Sequence, residues 1–224
     1  MATLYKKLNF MQWNTDFSKA ATYLIEKFMN DYDIDAAFIQ DIYCEKFGVD
    51  QSFKPPDFKG YNMLYYKDVV MPKAALYVKT NIKTTFLPHT SNSHCITCIV
   101  HLENSKSIIL SSVYCPPPDI SPLLRTESLF NNLSALQIQN LLLCGDFNSH
   151  STLWSNQSKN DKKGDDLEAL LLQNDLTVLN DVDSPPTFEN TRGGVSWIDI
   201  SAAGNKIADK CENWKVLNDL SIFP

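Results

Sequence analysis

Hydrophobic and polar positions along the chain switch between helix-like and strand-like spacing. One apolar stripe has the i, i+3, i+4, i+7, i+8 spacing of an amphipathic helix: Ala21, Leu24, Ile25, Phe28 and Met29. Ser18 precedes it as a candidate N-cap, and further helices are predicted at 122–136 and 165–173. Short apolar runs predict strands at 8–13, 35–39, 62–66, 74–78, 95–102, 107–114, 140–144, 176–179, 196–202 and 214–217. Without strict β-α-β alternation, this order favours one α/β domain with two sheets face to face and helices outside.

Composition agrees with a single folded domain. The chain has 224 residues, of which 44% are hydrophobic, and this length supports a core that needs no disulfide or structural metal. The net charge of −6 argues against binding nucleic acid or membrane by bulk charge, although a local basic groove remains compatible with it. No signal peptide and no apolar run of membrane-spanning length is found, so we expect an intracellular protein without a membrane partner.

The six cysteines fit that expectation as buried free thiols. Cys95 and Cys98 have the spacing of a zinc pair. However, they fall in a predicted strand, where a separation of three places them on opposite faces, and no second pair follows. We therefore do not expect a zinc site.

The strongest local signal for chemistry follows the predicted strand 140–144. Residues 145–148 read Gly-Asp-Phe-Asn, and strand alternation would point Asp146 and Asn148 in one direction. A carboxylate and a carboxamide side by side can hold a metal ion or orient a water molecule. The same spacing also fits a turn whose Asx side chains bond the backbone, so both interpretations stay open.

Other polar residues end or interrupt apolar strands in a similar way. Asn14 and Asp16 follow the first strand, Asp41 follows the second, Tyr114 ends the strand 107–114, and Asp199 lies inside the strand 196–202. Each has an ordinary structural role available, as a turn former, a helix cap or a core residue. Together they suggest a site at one rim of the two sheets, since sites form where loops leave a rigid scaffold.

These residues carry a resemblance to a known superfamily. The motifs Gln-Trp-Asn-x-Asp, Ile-Gln-Asp, Ser-Val-Tyr-x-Pro-Pro, Gly-Asp-Phe-Asn-Ser-His and Ser-Trp-Ile-Asp occur in the order typical of the endonuclease/exonuclease/phosphatase superfamily. The pattern Asn-Ser-His-x-x-x-Trp and the Pro-Thr-Phe before Ser-Trp-Ile-Asp resemble more narrowly the endonuclease domain of jockey-like non-LTR retrotransposons. The match extends over about residues 8–217.

The resemblance implies a four-layer α/β sandwich of two mixed sheets flanked by helices, and Mg²⁺- or Mn²⁺-dependent cleavage of a DNA phosphodiester. Asn14 and Asp41 match metal-site positions, and Asp16 is a further candidate ligand. Tyr114 matches a phosphate-contacting tyrosine. Asp146 matches the residue that orients or deprotonates the attacking water, and Asn148 its neighbour that positions phosphate and water. Asp199 matches the aspartate that orients a catalytic histidine. Hard oxygen ligands of this kind suit Mg²⁺.

Two departures from the family pattern bear on activity. Asp41 stands where the family usually has glutamate, so a metal would have to shift or bind through water. The family also ends its site with Ser-Asp-His on a last strand, and these three residues do not occur in sequence here. We expect a single domain over 1–224 that stops before that motif, with 214–217 as the preceding strand. Asn218-Asp219-Leu220 as a degenerate copy is the alternative.

The segment 151–163 holds candidate DNA contacts. Trp154 would stack on a base, Lys159, Lys162 and Lys163 would bind phosphates, and Arg192 in the segment 190–194 would probe a groove. A solvated loop is the alternative for 151–163. His150 lies close to Asn148, but we interpret it as a loop histidine.

The sequence therefore leaves three functions open. The first is the endonuclease domain of a non-LTR retrotransposon polyprotein, which nicks double-stranded DNA to prime reverse transcription. It would act in the nucleus and would have a reverse transcriptase domain in a longer parent chain. The second is a catalytically impaired remnant that at most binds DNA. The third is a phosphatase of the same superfamily, acting on inositol or sphingolipid head groups.

Overall fold

The computed structural model describes residues 7–48, 52–67, 69–117, 119 and 121–217. Its strands are β1 Phe10–Asn14, β2 Ala36–Gln40, β3 Glu45–Phe47, β4 Ser52–Lys54, β5 Tyr61–Leu64, β6 Ala74–Lys79, β7 Thr84–Phe86, β8 Cys95–His101, β9 Ser107–Tyr114, β10 Leu141–Asp146, β11 Leu176–Val178, β12 Phe188–Glu189, β13 Val195–Ser196 and β14 Asp199–Gly204. Its α-helices are α1 Lys19–Asp31, α2 Leu123–Asn132, α3 Ala135–Ile138 and α4 Lys162–Gln173.

Two mixed sheets form the framework. The first has the strand order β1-β2-β6-β5, and the second has the order β11-β14-β10-β9-β8-β7. The pairs β1–β2 and β9–β10 are parallel, and the other pairs in these sheets are antiparallel. The strands β3–β4 and β12–β13 form two small separate ribbons.

The hydrophobic cores divide the molecule into four layers. Phe38 and Leu76 of the first sheet pack against Ile96 and Leu110 of the second, which fills the space between the sheets. On the outer face of the first sheet, α1 buries Ile25 and Met29 against Ile39 and Tyr77. On the outer face of the second, α2 and α4 bury Leu129, Leu167 and Leu170. The predicted α/β sandwich is therefore confirmed.

Most elements follow the predicted pattern, with differences at their ends. Ser18 caps α1, its side chain accepting a hydrogen bond from the Ala21 N–H. The predicted helix 122–136 is interrupted because Ser134 adopts an extended backbone and caps the short helix α3 with Gln137 in a capping box. The predicted strand 214–217 is wrong: within the described residues this segment has no strand hydrogen bonding.

The structure also bears on the cysteine pair, on membrane-spanning helices and on the alternative last motif. Cys95 and Cys98 belong to different cores on opposite faces of β8, as expected. No helix in the described part of the chain is long and apolar enough to cross a membrane. The alternative copy of the last motif at 218–220 lies outside the described residues.

Candidate active site

The polar strand ends of the two sheets meet in one cleft. In the second sheet, Asp146 of β10 pairs with Tyr114 of β9 on one side and with Asp199 of β14 on the other. The Asn14 side-chain amide at the end of β1 donates a hydrogen bond of 2.6 Å to Asp146 Oδ2, which joins the two sheets. Seven of the candidate residues line this cleft: Asn14, Asp16, Asp41, Tyr114, Asp146, Asn148 and Asp199.

Asp146 and Asn148 are held together by a turn and not by strand alternation. Asn148 has a left-handed backbone with φ of 46°. Its N–H donates to Asp146 Oδ1 at 2.9 Å, and its side-chain amide donates to the Cys115 carbonyl at 3.1 Å. The Asx-turn interpretation therefore describes the local geometry, and the two side chains still lie side by side at the cleft.

Gly145 is needed for the close approach of β10 to β9. A Cβ at this position would lie 2.0 Å from the Val113 carbonyl oxygen, well inside any tolerable contact. Only glycine lets the two parallel strands run together up to Asp146. The glycine of the Gly-Asp-Phe-Asn motif thus fixes where the carboxylate emerges.

The Asp146 carboxylate lies in an environment that disfavours its charge. Burial raises its pKa well above the usual carboxyl range, and the neighbouring Asp199 carboxylate adds to that shift. Hydrogen bonds from Asn14 and Asn148 oppose it. A carboxylate with a raised pKa can accept a proton near neutral pH, which is the property required of a general base.

Asp199 is fixed by Gln12 of the first sheet and by Thr187, which precedes β12. Gln12 Nε2 donates to Asp199 Oδ1 at 2.6 Å and to Gln40 Oε1 at 2.8 Å. The Thr187 hydroxyl oxygen accepts the backbone N–H groups of Ile198 and Asp199, and its own hydroxyl interacts with the Asp199 carboxylate. Burial raises the pKa of Asp199, and these two side chains oppose the shift.

The orientation of the Gln12 amide follows from the far end of this network. Gln40 Nε2 donates to Ser112 Oγ at 2.8 Å, and the Ser112 hydroxyl donates to the Ile39 carbonyl. Because that carbonyl can only accept, Ser112 must accept from Gln40, and the Gln40 oxygen must accept from Gln12. The second N–H of Gln12 is thereby directed at Asp199.

Asp41 has a buried carboxylate oxygen without a partner. Its Oδ1 makes no hydrogen bond in the described structure, and the nearest cation is Lys73 Nζ at 3.6 Å. The Tyr114 hydroxyl is close enough to interact with the Asp41 carboxylate, and the Tyr114 ring stacks on His94 with centroids 6.2 Å apart. Burial raises the pKa of Asp41, and Tyr114 and Lys73 oppose that shift.

Several residues at the cleft have left-handed backbones. The φ angles are 48° at Asp16, 53° at Phe17, 43° at Asp41 and 46° at Asn148. Asp and Asn tolerate this region better than other non-glycine residues, whereas a bulky residue such as Phe17 is strained there. Strained backbone of this kind is concentrated at functional sites.

The available donors fit a magnesium ion better than a metal held by protein alone. Among the described residues, no group of three His, Cys, Asp or Glu side chains is placed to hold a metal ion. Mg²⁺ typically binds one or two carboxylates and completes its shell with water and phosphate oxygens. The partnerless Asp41 Oδ1 could supply such a carboxylate oxygen. Asn14 Oδ1, which also accepts the Asp16 N–H, is a further candidate ligand.

The prediction that Trp154 stacks on DNA is wrong for this structure. The side chain has 0% exposure, lies in the core under α4, and donates a hydrogen bond of 3.0 Å to the Trp197 carbonyl. Lys163 was also predicted to contact DNA. It is buried in the first turn of α4, where its ammonium donates to the Cys115 and Pro116 carbonyls.

The other candidate contacts remain open to solvent. Lys159 and Lys162 are exposed, and so is Arg192 in the turn between β12 and β13. His150 is bound through Nδ1 to Asp161 at 2.8 Å, and Asp161 caps α4. His150 therefore anchors the loop to the helix, as expected for a loop histidine.

Three residues of the site had no role assigned from the sequence. Gln12 and Thr187 lie within quoted motifs, but nothing in their spacing shows that both contact Asp199. Lys73 precedes β6 and belongs to no motif. Each reaches the site from a segment distant in sequence from its partner, which local patterns do not reveal.

Comparisons with known proteins agree with this geometry. A family model described as Endonuclease-reverse transcriptase matches residues 108–221. Among solved structures, the endonuclease domain of TRAS1, a telomere-specific non-LTR retrotransposon, superposes with a TM-score of 0.81 at 23% identity, covering 96% of this chain and 93% of that one.

Two further solved structures share the fold. The AP endonuclease LMAP from Leishmania major gives a TM-score of 0.64 at 13% identity over 93% of this chain and 85% of that one. An AP endonuclease from Archaeoglobus fulgidus gives 0.63 at 11% identity over 97% and 95%. No curated protein sequence matches the chain. Because the family model covers half of the chain and the fold agrees over nearly all of it, the chain belongs to the Endonuclease-reverse transcriptase family of the endonuclease/exonuclease/phosphatase superfamily.

Proposed function

We propose that the chain is a divalent-metal-dependent DNA endonuclease domain that hydrolyses one phosphodiester of double-stranded DNA. One arrangement carries the proposal. The Asn14–Asp146 hydrogen bond joins the sheets in the cleft that Asp41, whose buried Oδ1 has no hydrogen-bond partner among the described residues, also lines. A basic carboxylate and a free hard ligand in one cleft are the two groups that metal-assisted phosphodiester hydrolysis requires.

In this mechanism the residues of the chain orient and activate a water molecule. Asp146 accepts the proton of the water that attacks phosphorus, and its raised pKa suits it to that step. Asn148 and Tyr114 hold the phosphate, and Asn14 orients the Asp146 carboxylate. A magnesium ion bound at Asp41 and Asn14, with Asp16 near it, would supply positive charge to the phosphate. Asp199, held by Gln12 and Thr187, adds negative charge that raises the proton affinity of Asp146.

The biological setting is also a proposal. Similarity to a retrotransposon endonuclease domain supports nicking of target DNA in the nucleus to prime reverse transcription, with a reverse transcriptase domain in a longer parent chain. Exposed Lys159, Lys162 and Arg192 would contact the DNA backbone or a groove.

An impaired nuclease is the second candidate, and one observation favours it. The 224 residues contain no Ser-Asp-His. The leaving oxygen of the cleaved bond develops negative charge, and losing a group that stabilises such charge typically slows catalysis by about 10²–10³. We therefore expect slow nicking, and faster nicking when a strand ending in Ser-Asp-His is appended.

Relaxation of supercoiled plasmid in Mg²⁺ or Mn²⁺ tests the proposal, because a single nick per molecule is detected. The chain should nick slowly, and EDTA should abolish nicking. Asp146→Ala should lower the rate by about 10²–10⁴ while DNA affinity at the same salt concentration is kept or increased. Asp31→Ala, which removes an exposed carboxylate on α1, is the control.

Two results would contradict the assignment. Full metal-dependent nicking by Asp146→Ala would show that residues 145–148 form only a structural turn. Release of phosphate from inositol phosphates, without plasmid nicking, would favour the phosphatase alternative.

A further inference from the structure

The Lys73 ammonium lies beside the cleft and has no hydrogen-bonded partner among the described residues. Its ammonium lies 3.8 Å from the centre of the Phe17 ring and 3.6 Å from Asp41 Oδ1. The second distance is too long for a hydrogen bond. In the part of the chain that the structure describes, Asp41 is the only carboxylate within ion-pair distance of this ammonium. An ammonium group has three N–H donors, so Lys73 keeps donor capacity for another acceptor.

Phe17 makes this contact from an unfavourable backbone conformation. It has a left-handed backbone with φ of 53°, which is rare for a bulky residue. Its N–H donates to the Asp41 carbonyl at 2.7 Å, which ties the strained turn to the end of β2. The ring remains 36% exposed, so little apolar burial compensates for the strain. In this conformation the face of the Phe17 ring lies under the Lys73 ammonium.

The ion pair between Lys73 and Asp41 leaves hydrogen-bonding capacity of both groups unused. The carboxylate oxygen that faces Lys73 is buried and lacks any hydrogen bond, and leaving such an atom unsatisfied is costly. The Tyr114 hydroxyl also interacts with this carboxylate. An unpaired acceptor thus lies next to a cation with donors to spare, and a ligand with both cationic and anionic parts would satisfy both.

We propose that Lys73 binds a non-bridging oxygen of the substrate phosphodiester and that Phe17 is its positioning residue. The inference rests on the proposed function and names the phosphate contact of that site. A divalent cation at Asp41 would take over the carboxylate that now faces Lys73, and the phosphate anion would then be the natural partner of the ammonium. The cation–π contact with Phe17 keeps the ammonium beside the cleft in both situations.

Salt dependence of DNA binding at a fixed Mg²⁺ concentration tests this assignment, with every protein carrying Asp146→Ala so that cleavage is slow. The probe is a fluorescently labelled DNA duplex, followed by anisotropy over a series of sodium chloride concentrations. Loss of one phosphate contact lowers the slope of log Kd against log salt by about 0.9, which corresponds to about eightfold weaker binding at 0.1 M salt. We expect this for Lys73→Met, a smaller loss for Phe17→Leu, and retained binding for Lys73→Arg, since arginine also stacks on aromatic rings.

The chain offers a matched control. Lys54 lies 5.3 Å from the centre of the Phe47 ring and forms an ion pair with Asp57 at 2.6 Å, so it has the same combination of aromatic and acidic neighbours. Phe47 and Lys54 belong to the small β3–β4 ribbon, outside the two main sheets. Lys54→Met should leave the salt slope unchanged, and thermal melts should show that all variants are folded.

The possible outcomes separate this inference from the function on which it rests. If the chain carrying Asp146→Ala alone does not bind the duplex at any salt concentration, the proposed function is wrong and the phosphate contact falls with it. If the chain binds but Lys73→Met has the same slope as Lys54→Met, Lys73 is only a charge partner of Asp41 and the inference alone is refuted. A lower slope for Lys73→Met, restored by Lys73→Arg, supports it.

Discussion

Replacing Trp154 by phenylalanine tests whether this residue is part of the core or of a DNA-binding surface. The indole N–H donates to the Trp197 carbonyl inside the core, and the side chain is completely buried. Phenylalanine keeps an aromatic ring but leaves that carbonyl without its donor, which costs about 1–3 kcal/mol. The smaller ring also leaves a cavity, which adds to the loss.

For a domain of this size, each kcal/mol lowers Tm by about 2–4 °C, so the hydrogen bond alone predicts a fall of about 2–12 °C. Urea unfolding should show a lower midpoint with an unchanged m-value, because the fold itself is kept. Binding to the labelled duplex, measured where both proteins are folded and at one salt concentration, should not change.

Trp214→Phe is the matched control for this experiment. Trp214 donates its indole N–H to Ser201 Oγ at 3.2 Å, but the side chain is half-buried, so water can replace the lost donor. We expect a smaller fall in Tm than for Trp154→Phe. An unchanged Tm together with DNA binding weakened fivefold or more by Trp154→Phe would refute the core assignment, because stacking on a base is worth about 1–3 kcal/mol.

Three further changes have expected results. Gly145→Ala should prevent or strongly destabilise folding in urea titrations, because the new methyl group would overlap the Val113 carbonyl. Gln12→Leu should lower the nicking rate more than DNA affinity, because Asp199 loses one of the two side chains that hold its carboxylate. Burial, and then nearby cationic charge, lower the pKa of His94 to about 4. The folded state thus binds fewer protons than the unfolded state between about pH 6.5 and 4. The free energy of unfolding should therefore fall on acidification by roughly 1–2 kcal/mol, after allowance for the partial solvent exposure of His94. In urea titrations at several pH values, His94→Gln should show a weaker pH dependence.

The framework was predictable because its signals are local. The periodicity of α1, with Ser18 as its cap, and the continuous apolar run of β10 each specify an element without reference to distant residues. Where the prediction was wrong, a local signal was overridden. The helix predicted at 122–136 ends early because Ser134 starts a new capping box, and the apolar spacing at 214–217 finds no neighbouring strand among the described residues.

The candidate site was predictable only as a list of residues. Motif order pointed to Asn14, Asp146 and Asp199, and the structure places all three in one cleft. The residues that hold and orient these side chains could not be identified from the sequence, because they belong to other segments of the chain. Gln12 and Asp199 are separated by 187 positions of sequence. The orientation of the Gln12 amide depends on Gln40 and Ser112, and finally on the Ile39 carbonyl.

Trp154 shows that residue type near a motif can be a poor guide to DNA contact. Trp154 follows the Gly-Asp-Phe-Asn-Ser-His motif and has the side chain expected of a stacking residue, yet its indole N–H is already used inside the core. Lys73 follows no motif, yet its ammonium has donor capacity left and lies beside a carboxylate oxygen that lacks a partner. A ligand is bound by groups whose interactions are incomplete in the folded chain. We therefore expect unsatisfied donors and acceptors at the cleft to indicate substrate contact better than distance from a motif does, and the substitutions of Lys73 and Trp154 test this expectation.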